Sequence, residues 1–230
     1  MTLDVGDDIG KISVGWAYTY RARVLVLTTT QTTNKKPPTM TQLVLFNKPF
    51  GVISQFSDDG SGHPTLKHWI DIANVYPAGR LDHHSEGLLL LTDDGALQHR
   101  ISHPSKKLAK TYWIQVEGQP DSDGIEHLQR GIQLKDGPTL PAIAHHIETP
   151  DLWHRALPPK YAAAVPTSWL SITITEGRNR QVRRMSAYVG HPTVRLVRTQ
   201  VGPWTVDGIE PGDYRILSGK QAWQDLSSHS

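Results

Sequence analysis

The sequence predicts an α/β chain of the α+β kind, built on a mixed, mainly antiparallel sheet. Three features carry that expectation. Tyr112, Ile114 and Val116 alternate with Trp113 and Gln115, and Leu170, Ile172 and Ile174 alternate with Ser171 and Thr173; this is the period of half-buried strands. Leu88 to Leu91 is a short, wholly apolar run, as expected of a strand covered on both faces. Turn residues separate these segments closely, and short turns join antiparallel neighbours, whereas parallel ones need a long crossover.

The elements follow in order. Residues 1–39 read as a disordered extension, with Thr28, Thr29, Thr30, Thr32 and Thr33 ahead of Asn34-Lys35-Lys36-Pro37-Pro38. Its apolar block, Val24 to Leu27, is too short for a secretory core. Met40 directly precedes the first convincing strand, so the extension is either a basic leader or a stretch ahead of the natural start. Residues 40–230 read as one domain. Leu43 to Phe46 is the first strand, and Asn47-Lys48-Pro49-Phe50-Gly51 turns into a second short one. Asp58-Asp59-Gly60-Ser61-Gly62 is a loop, followed by an amphipathic helix near Thr65 to Ile72. The segment Ala78 to Gly87 is a Gly-punctuated loop feeding the Leu88–Leu91 strand, and a helix runs from about Ala96 to Ile101. After the Tyr112 strand, Ser122 to Leu128 forms a helix capped by Ser122 or Asp123. Pro150 to Pro166 is a long loop. The Leu170 strand leads through Glu176-Gly177-Arg178-Asn179 into a helix from Arg180 to Tyr188, with Val182, Met185 and Val189 as its apolar stripe. Val194 to Val201 and Asp213 to Leu217 form a last strand pair.

Composition narrows the function class. Apolar residues make up 37% and charged residues 20% of the chain, the balance of a water-soluble globular protein. No run reaches the roughly 18 apolar residues of a membrane span, so no membrane partner is expected. There is no cysteine, which excludes disulfides and thiolate chemistry and fits a cytoplasmic protein. The net charge of +2 names no partner, but its distribution does. Between Glu176 and Gln200 lie Arg178, Arg180, Arg183, Arg184, Arg195 and Arg198, against the single acid Glu176. An ordinary solvated face mixes lysines with acids. Guanidinium forks in this density match phosphate, and so nucleic acid.

Within the Ala78–Gly87 loop, Asp82 stands two residues from Arg80. An isolated loop aspartate ordinarily caps a turn. A carboxylate used as a nucleophile must instead stay ionised and oriented, and a guanidinium beside it favours both. A tyrosine on a neighbouring strand can stack on a planar substrate such as a nucleobase. Asp82-His83-His84 also has the wording of a phosphoesterase metal element. Asp93, Asp94, His99 and His103 are further donors, but a two-metal site needs an Asp-rich strand motif upstream that the chain lacks. No metal ligand is assigned. Ser85 lacks the Gly-X-Ser-X-Gly setting of a hydrolase nucleophile.

Taken in order, Gly79-Arg80-Leu81-Asp82, the apolar run ending Thr92-Asp93-Asp94-Gly95, Lys110-Thr111-Tyr112, and Glu176-Gly177-Arg178-Asn179-Arg180-Gln181-Val182-Arg183-Arg184-Met185 resemble the motifs of RNA pseudouridine synthases. The match is to the branch that modifies ribosomal RNA and spans roughly residues 42–217. Phe46-Asn47-Lys48-Pro49, Asp136 to Pro141 and Pro166 to Leu170 are most similar to the E type among that branch's large-subunit enzymes. The resemblance implies the fold of that family, with a central cleft crossed by the Asp82 loop. It implies Asp82 as the nucleophile, Tyr112 packed on the base and assisting loss of the C5 proton, and Arg183 paired with the aspartate, Arg184 being the alternative. Arg80 would help flip the uridine, and Arg178, Arg180 and Arg184 would bind substrate. It implies no cofactor, since isomerisation needs no redox equivalent or phosphoryl donor. The expected partner is 23S ribosomal RNA or a pre-ribosomal particle, met by a monomer. Many relatives carry an N-terminal S4 module, and residues 1–39 lack its helical basic pattern. The reading from another class is a non-catalytic RNA-binding or ribosome-assembly factor on the same scaffold; a metal-dependent phosphoesterase stands third.

Overall fold

A computed structural model describes residues 41–155 and 166–229; the expectations for residues 1–39 and for most of the Pro150–Pro166 loop fall outside this range. Its strands are β1 (Gln42–Lys48), β2 (Tyr76–Pro77), β3 (Glu86–Thr92), β4 (Lys110–Glu117), β5 (Gln133–Leu134), β6 (Gly137–Pro138), β7 (Ile143–Ile147), β8 (Thr167–Ile174), β9 (Thr193–Val201), β10 (Trp204–Thr205) and β11 (Tyr214–Ser218). The helices are α1 (Gly95–Ser102), α2 (Ser122–Arg130), α3 (Gln181–Tyr188) and α4 (Gly219–Ser228).

The main sheet runs in the order β11-β1-β3-β9-β4-β8-β7, with β2 added to β3 and β10 to β9. Among the described residues its one parallel pairing joins β3 to β9, Glu86 opposite Val197 and Gly87 opposite Arg198. The sheet is therefore mixed and mainly antiparallel, as expected. No described helix is long and apolar enough to cross a membrane.

The apolar run of β3 is explained by two cores. Leu89 and Leu91 pack with Phe46, Leu66, Tyr112, Ile114, Leu128, Val182 and Met185. Leu88 and Leu90 pack with Leu43, Leu97, Ile101, Trp204, Ala222 and Leu226. Alternate side chains thus enter opposite layers, and all four leucines are fully buried. At about 1.5–3 kcal/mol for each buried side chain of this size, β3 anchors the loop in front of it. In α3, Val182 and Met185 are buried in the first core, and Val189 packs against it.

Several expected elements differ. After Gly51 a single bridge, Ile53 to Thr65, replaces the second strand, because the backbone bonds here go to scattered partners, Gly51 N to His83 O and Ile53 N to Pro64 O, rather than to one neighbouring strand. Thr65 to Ile72 contains only a three-residue 3₁₀ turn, Leu66–His68, and Asn74 at φ 62° then turns the chain toward β2. The α2 cap is Asp121, whose carboxylate accepts from the Gly124 N–H at 2.8 Å, not Ser122 or Asp123. The last two long strands do not pair with each other. β9 is buried except at Thr193 and Gln200 and lies between β3 and β4, whereas β11 is a half-exposed edge on β1.

Candidate active site

The loop ahead of β3 is pinned from three directions. Asp82 O accepts from Ser85 N at 3.0 Å, closing a turn, and His83 O accepts from Gly51 N at 2.9 Å. Ser54 brackets Leu81: its hydroxyl donates to Leu81 O at 2.7 Å and accepts from Leu81 N at 3.1 Å. From α3, Arg183 Nη2 donates to His84 O at 2.7 Å. Gly87 lets β3 approach β9 here. It holds φ +97°, and a Cβ would stand 2.3 Å from Arg198 O. The Asp82 backbone is thereby fixed while its side chain stays accessible, about a third exposed.

Asp82 opens onto a small cleft of about 70 Å³, open to solvent, whose lining includes Arg80, Ser85, Tyr112, Ile174, Arg178, Arg180, Arg183 and Leu196. Tyr112 forms part of the wall and is only 8% exposed. The β4–β9 register shifts between Thr111 and Tyr112, and such a bulge re-aims the side chains beside it.

The arginines divide by what their guanidiniums reach. Arg180 Nη1 lies 3.7 Å from Asp82 Oδ2. Arg180 also starts α3 in the left-handed region, φ 47° and ψ 34°, a costly conformation for a side-chain-bearing residue. Arg183, besides holding His84 O, reaches Ser85 Oγ at 3.4 Å. The expectation that Arg184 is the alternative partner of Asp82 is corrected: its fork binds Asp136, Nη1 to Oδ1 at 2.7 Å and Nη2 to Oδ2 at 3.0 Å. Hydrogen bonding by Arg184 holds the Asp136 carboxyl below the usual range. Arg178 lines the cleft, yet its fork serves the β5–β6 hairpin, donating to Gly137 O at 2.9 Å and to Pro138 O, and to Glu176 Oε2 at 3.2 Å. Arg80 is exposed at the rim.

A model of RNA pseudouridylate synthases matches residues 42–188, from β1 to the end of α3. The chain belongs to the RNA pseudouridylate synthase family. Large-subunit pseudouridine synthase E of Vibrio vulnificus is 51% identical over 177 residues, covering 77% of this chain and 75% of that protein. The Xanthomonas campestris protein of the same name is 53% identical over 176 residues, covering 76% of this chain and 94% of its own. Large-subunit pseudouridine synthase B of Bacillus subtilis is 38% identical over 175 residues, covering 76% and 67%. Among solved structures, a crystal structure of a pseudouridylate synthase superposes with a TM-score of 0.65 at 29% identity, covering 80% of this chain and 74% of that one. The chain is accordingly an isomerase of the pseudouridine synthase type, with the α+β fold of that structure.

Beneath this synthase's cleft lies a buried network that sequence reasoning misses. Glu86, 1% exposed, accepts from Arg195 Nε at 3.1 Å and Nη2 at 3.0 Å, and from Trp153 Nε1 at 2.7 Å. Arg155 Nη1 completes it at 3.2 Å. Lys48 is fully buried, donating to Val52 O at 2.7 Å and Pro49 O at 3.0 Å. Burial lowers its ammonium to about 7, opposed by Glu86 and Asp82 and assisted by Arg198. The signal in each case is a charge at the edge of an apolar run, Lys48 ending β1 and Glu86 opening β3. Such a charge is buried only with partners. Among the described residues no group of three or more histidine, cysteine or carboxylate side chains is arranged to hold a metal ion.

Proposed function

We propose that this synthase converts a specific uridine of 23S ribosomal RNA to pseudouridine, with Asp82 as the nucleophile on a flipped-out base. The observation that carries this is the convergence of Asp82, Tyr112, Arg80, Arg180 and Arg183, from three separate parts of the chain, on one cleft. The names of the large-subunit relatives support the choice of RNA, and that substrate implies a cytoplasmic setting.

In this reading Asp82 attacks the nucleoside and the bond between ribose C1′ and uracil N1 breaks. The uracil turns within the cleft, C5 bonds to C1′, C5 loses its proton and N1 gains one, and the carboxylate is released. Atoms and electrons balance without a cofactor. Tyr112 packs on the uracil and keeps it in register while it is detached. Arg180 and Arg183 orient the carboxylate and the turn that carries it. Arg80, at the rim, contacts the backbone and offsets part of the few kcal/mol that base extrusion costs. Arg178 and Arg184 contribute to substrate binding chiefly by shaping the hairpin wall.

Asp82→Asn keeps the side-chain shape and removes the nucleophile. In a strain lacking the native enzyme it should bind ribosomal RNA and form no pseudouridine at the target. Undiminished modification would overturn the assignment. Absence of modification by the wild type, with RNA binding intact, would favour a ribosome-assembly factor instead.

A further inference from the structure

His83 and His84, which lie between Asp82 and Ser85 of the cleft lining, belong to a column of rings on the adjoining surface. Phe50 and His84 stack with centroids 5.5 Å apart and planes 29° apart. His84 and His83 are 4.1 Å apart, and His83 and His63 are 3.9 Å apart. Phe50 is 40% exposed, and His84 and His63 are exposed as well. The column is not a loose surface patch. Arg155 covers Phe50 at 4.5 Å from its centroid and is tied to buried Glu86. The bond from Gly51 N to His83 O joins the two loops that carry the rings.

Such a column adds little to either core, and its histidine rings are tilted, by 34° between His83 and His63 and by 50° between His83 and His84, so the exposed rings are not packed face to face. Burial, then neighbouring histidines and Lys48, lowers His83 to about 4. Burial, then Arg183 and Arg180, lowers His84. These two imidazoles are held toward the uncharged form, and His84 is set beside the guanidiniums of Arg183 and Arg180. Ring surface next to phosphate-binding cations is the arrangement that holds unpaired nucleic acid, bases on rings and backbone on arginines.

We propose that Phe50, His84, His83 and His63 form a stacking platform for the unpaired bases flanking the uridine that enters the Asp82 cleft. The proposal rests on the RNA reading above and adds the place where the neighbouring nucleotides lie. A platform of this kind reads ring faces, so it should favour unpaired RNA without demanding one sequence.

The test uses the full chain and two fluorescein-labelled probes: a dodecauridylate, and a dodecamer of the same backbone with every base removed. The wild type should bind the uridylate roughly tenfold or more tightly than the abasic strand, the scale of one stacked base. The double variant His83→Ala/His84→Ala should lose about that factor for the uridylate and keep its affinity for the abasic strand. His84→Phe, which restores a ring without a titratable group, should retain the preference. Equal binding of the two probes by the wild type, or a double variant that weakens both equally or neither, overturns the platform and leaves the RNA reading standing. If the wild type binds neither probe and forms no pseudouridine in ribosomal RNA, both fall together.

Discussion

Arg180 reaches Asp82 from a residue whose own backbone is in the left-handed region, Nη1 to Oδ2 at 3.7 Å with φ at 47°. Glycine would hold that conformation at lower cost, by about 1 kcal/mol. The side chain is therefore kept for what it touches. Arg180→Gly should leave the urea midpoint unchanged or higher while lowering kcat for pseudouridine formation at least tenfold. Arg180→Ala should lower activity and stability together. A glycine variant that is fully active would mean that Arg180 does not orient the carboxylate.

Arg183 acts on the turn that follows Asp82, through His84 O at 2.7 Å and Ser85 Oγ at 3.4 Å. Lysine keeps the charge but cannot reproduce the planar fork, whose Nη2 makes both contacts to the turn while Nη1 reaches Thr193 O at 3.5 Å. Arg183→Lys should reduce kcat by up to about a hundredfold, the scale of a nucleophile displaced by an ångström, with a much smaller change in KM. Single-turnover conversion of ribosomal RNA would measure it, and wild-type rates would place the turn's rigidity elsewhere.

Glu86 holds Arg195, Arg155 and Trp153 beneath the cleft. Removing its charge leaves guanidiniums buried without their counter-charge, which costs about 3–5 kcal/mol. Glu86→Gln should lower the urea midpoint accordingly. Because Arg155 covers Phe50, the same change should also loosen the ring column. A shift below about 1 kcal/mol, the scale of an exposed pair, would show that water reaches this network.

Much of this is legible in the sequence where side chains follow one rule. Strands with a clear period, such as Tyr112–Val116, lie where expected, and the Leu88–Leu91 run predicts a strand buried on both faces. What escapes is set by partners far along the chain. β7 escapes because only Ala144 of its residues is buried, so it carries little alternation. α4 escapes although Ala222 and Leu226 fill the second core. The site is legible as a set of residues, since Asp82, Tyr112 and the arginines are named by local wording. Which arginine reaches which carboxylate is not. Arg180, Arg183 and Arg184 are near neighbours on one helical start, and only the positions of Asp82, His84 and Asp136 decide among them.

Lys48 gives a pH dependence that can be isolated. Burial lowers it from 10.5 to about 7, so between those values the unfolded chain holds a proton that the folded protein has released. Stability rises with pH wherever the unfolded state binds more protons. The cost of burying this ammonium is therefore full below about pH 7 and is relieved as pH climbs toward 10. Lys48→Met removes the group. The stability of the wild type minus that of the variant should rise from pH 7 to 9, by at most about 1.4 kcal/mol per pH unit. Lys110, lowered to about 8 by burial and Arg198, titrates in the same window but is present in both proteins and cancels in the difference. Urea unfolding at pH 6, 7, 8 and 9 would measure it. Parallel curves would mean that Lys48 stays charged in the folded protein across the whole range, with the Glu86 and Asp82 carboxylates outweighing its burial.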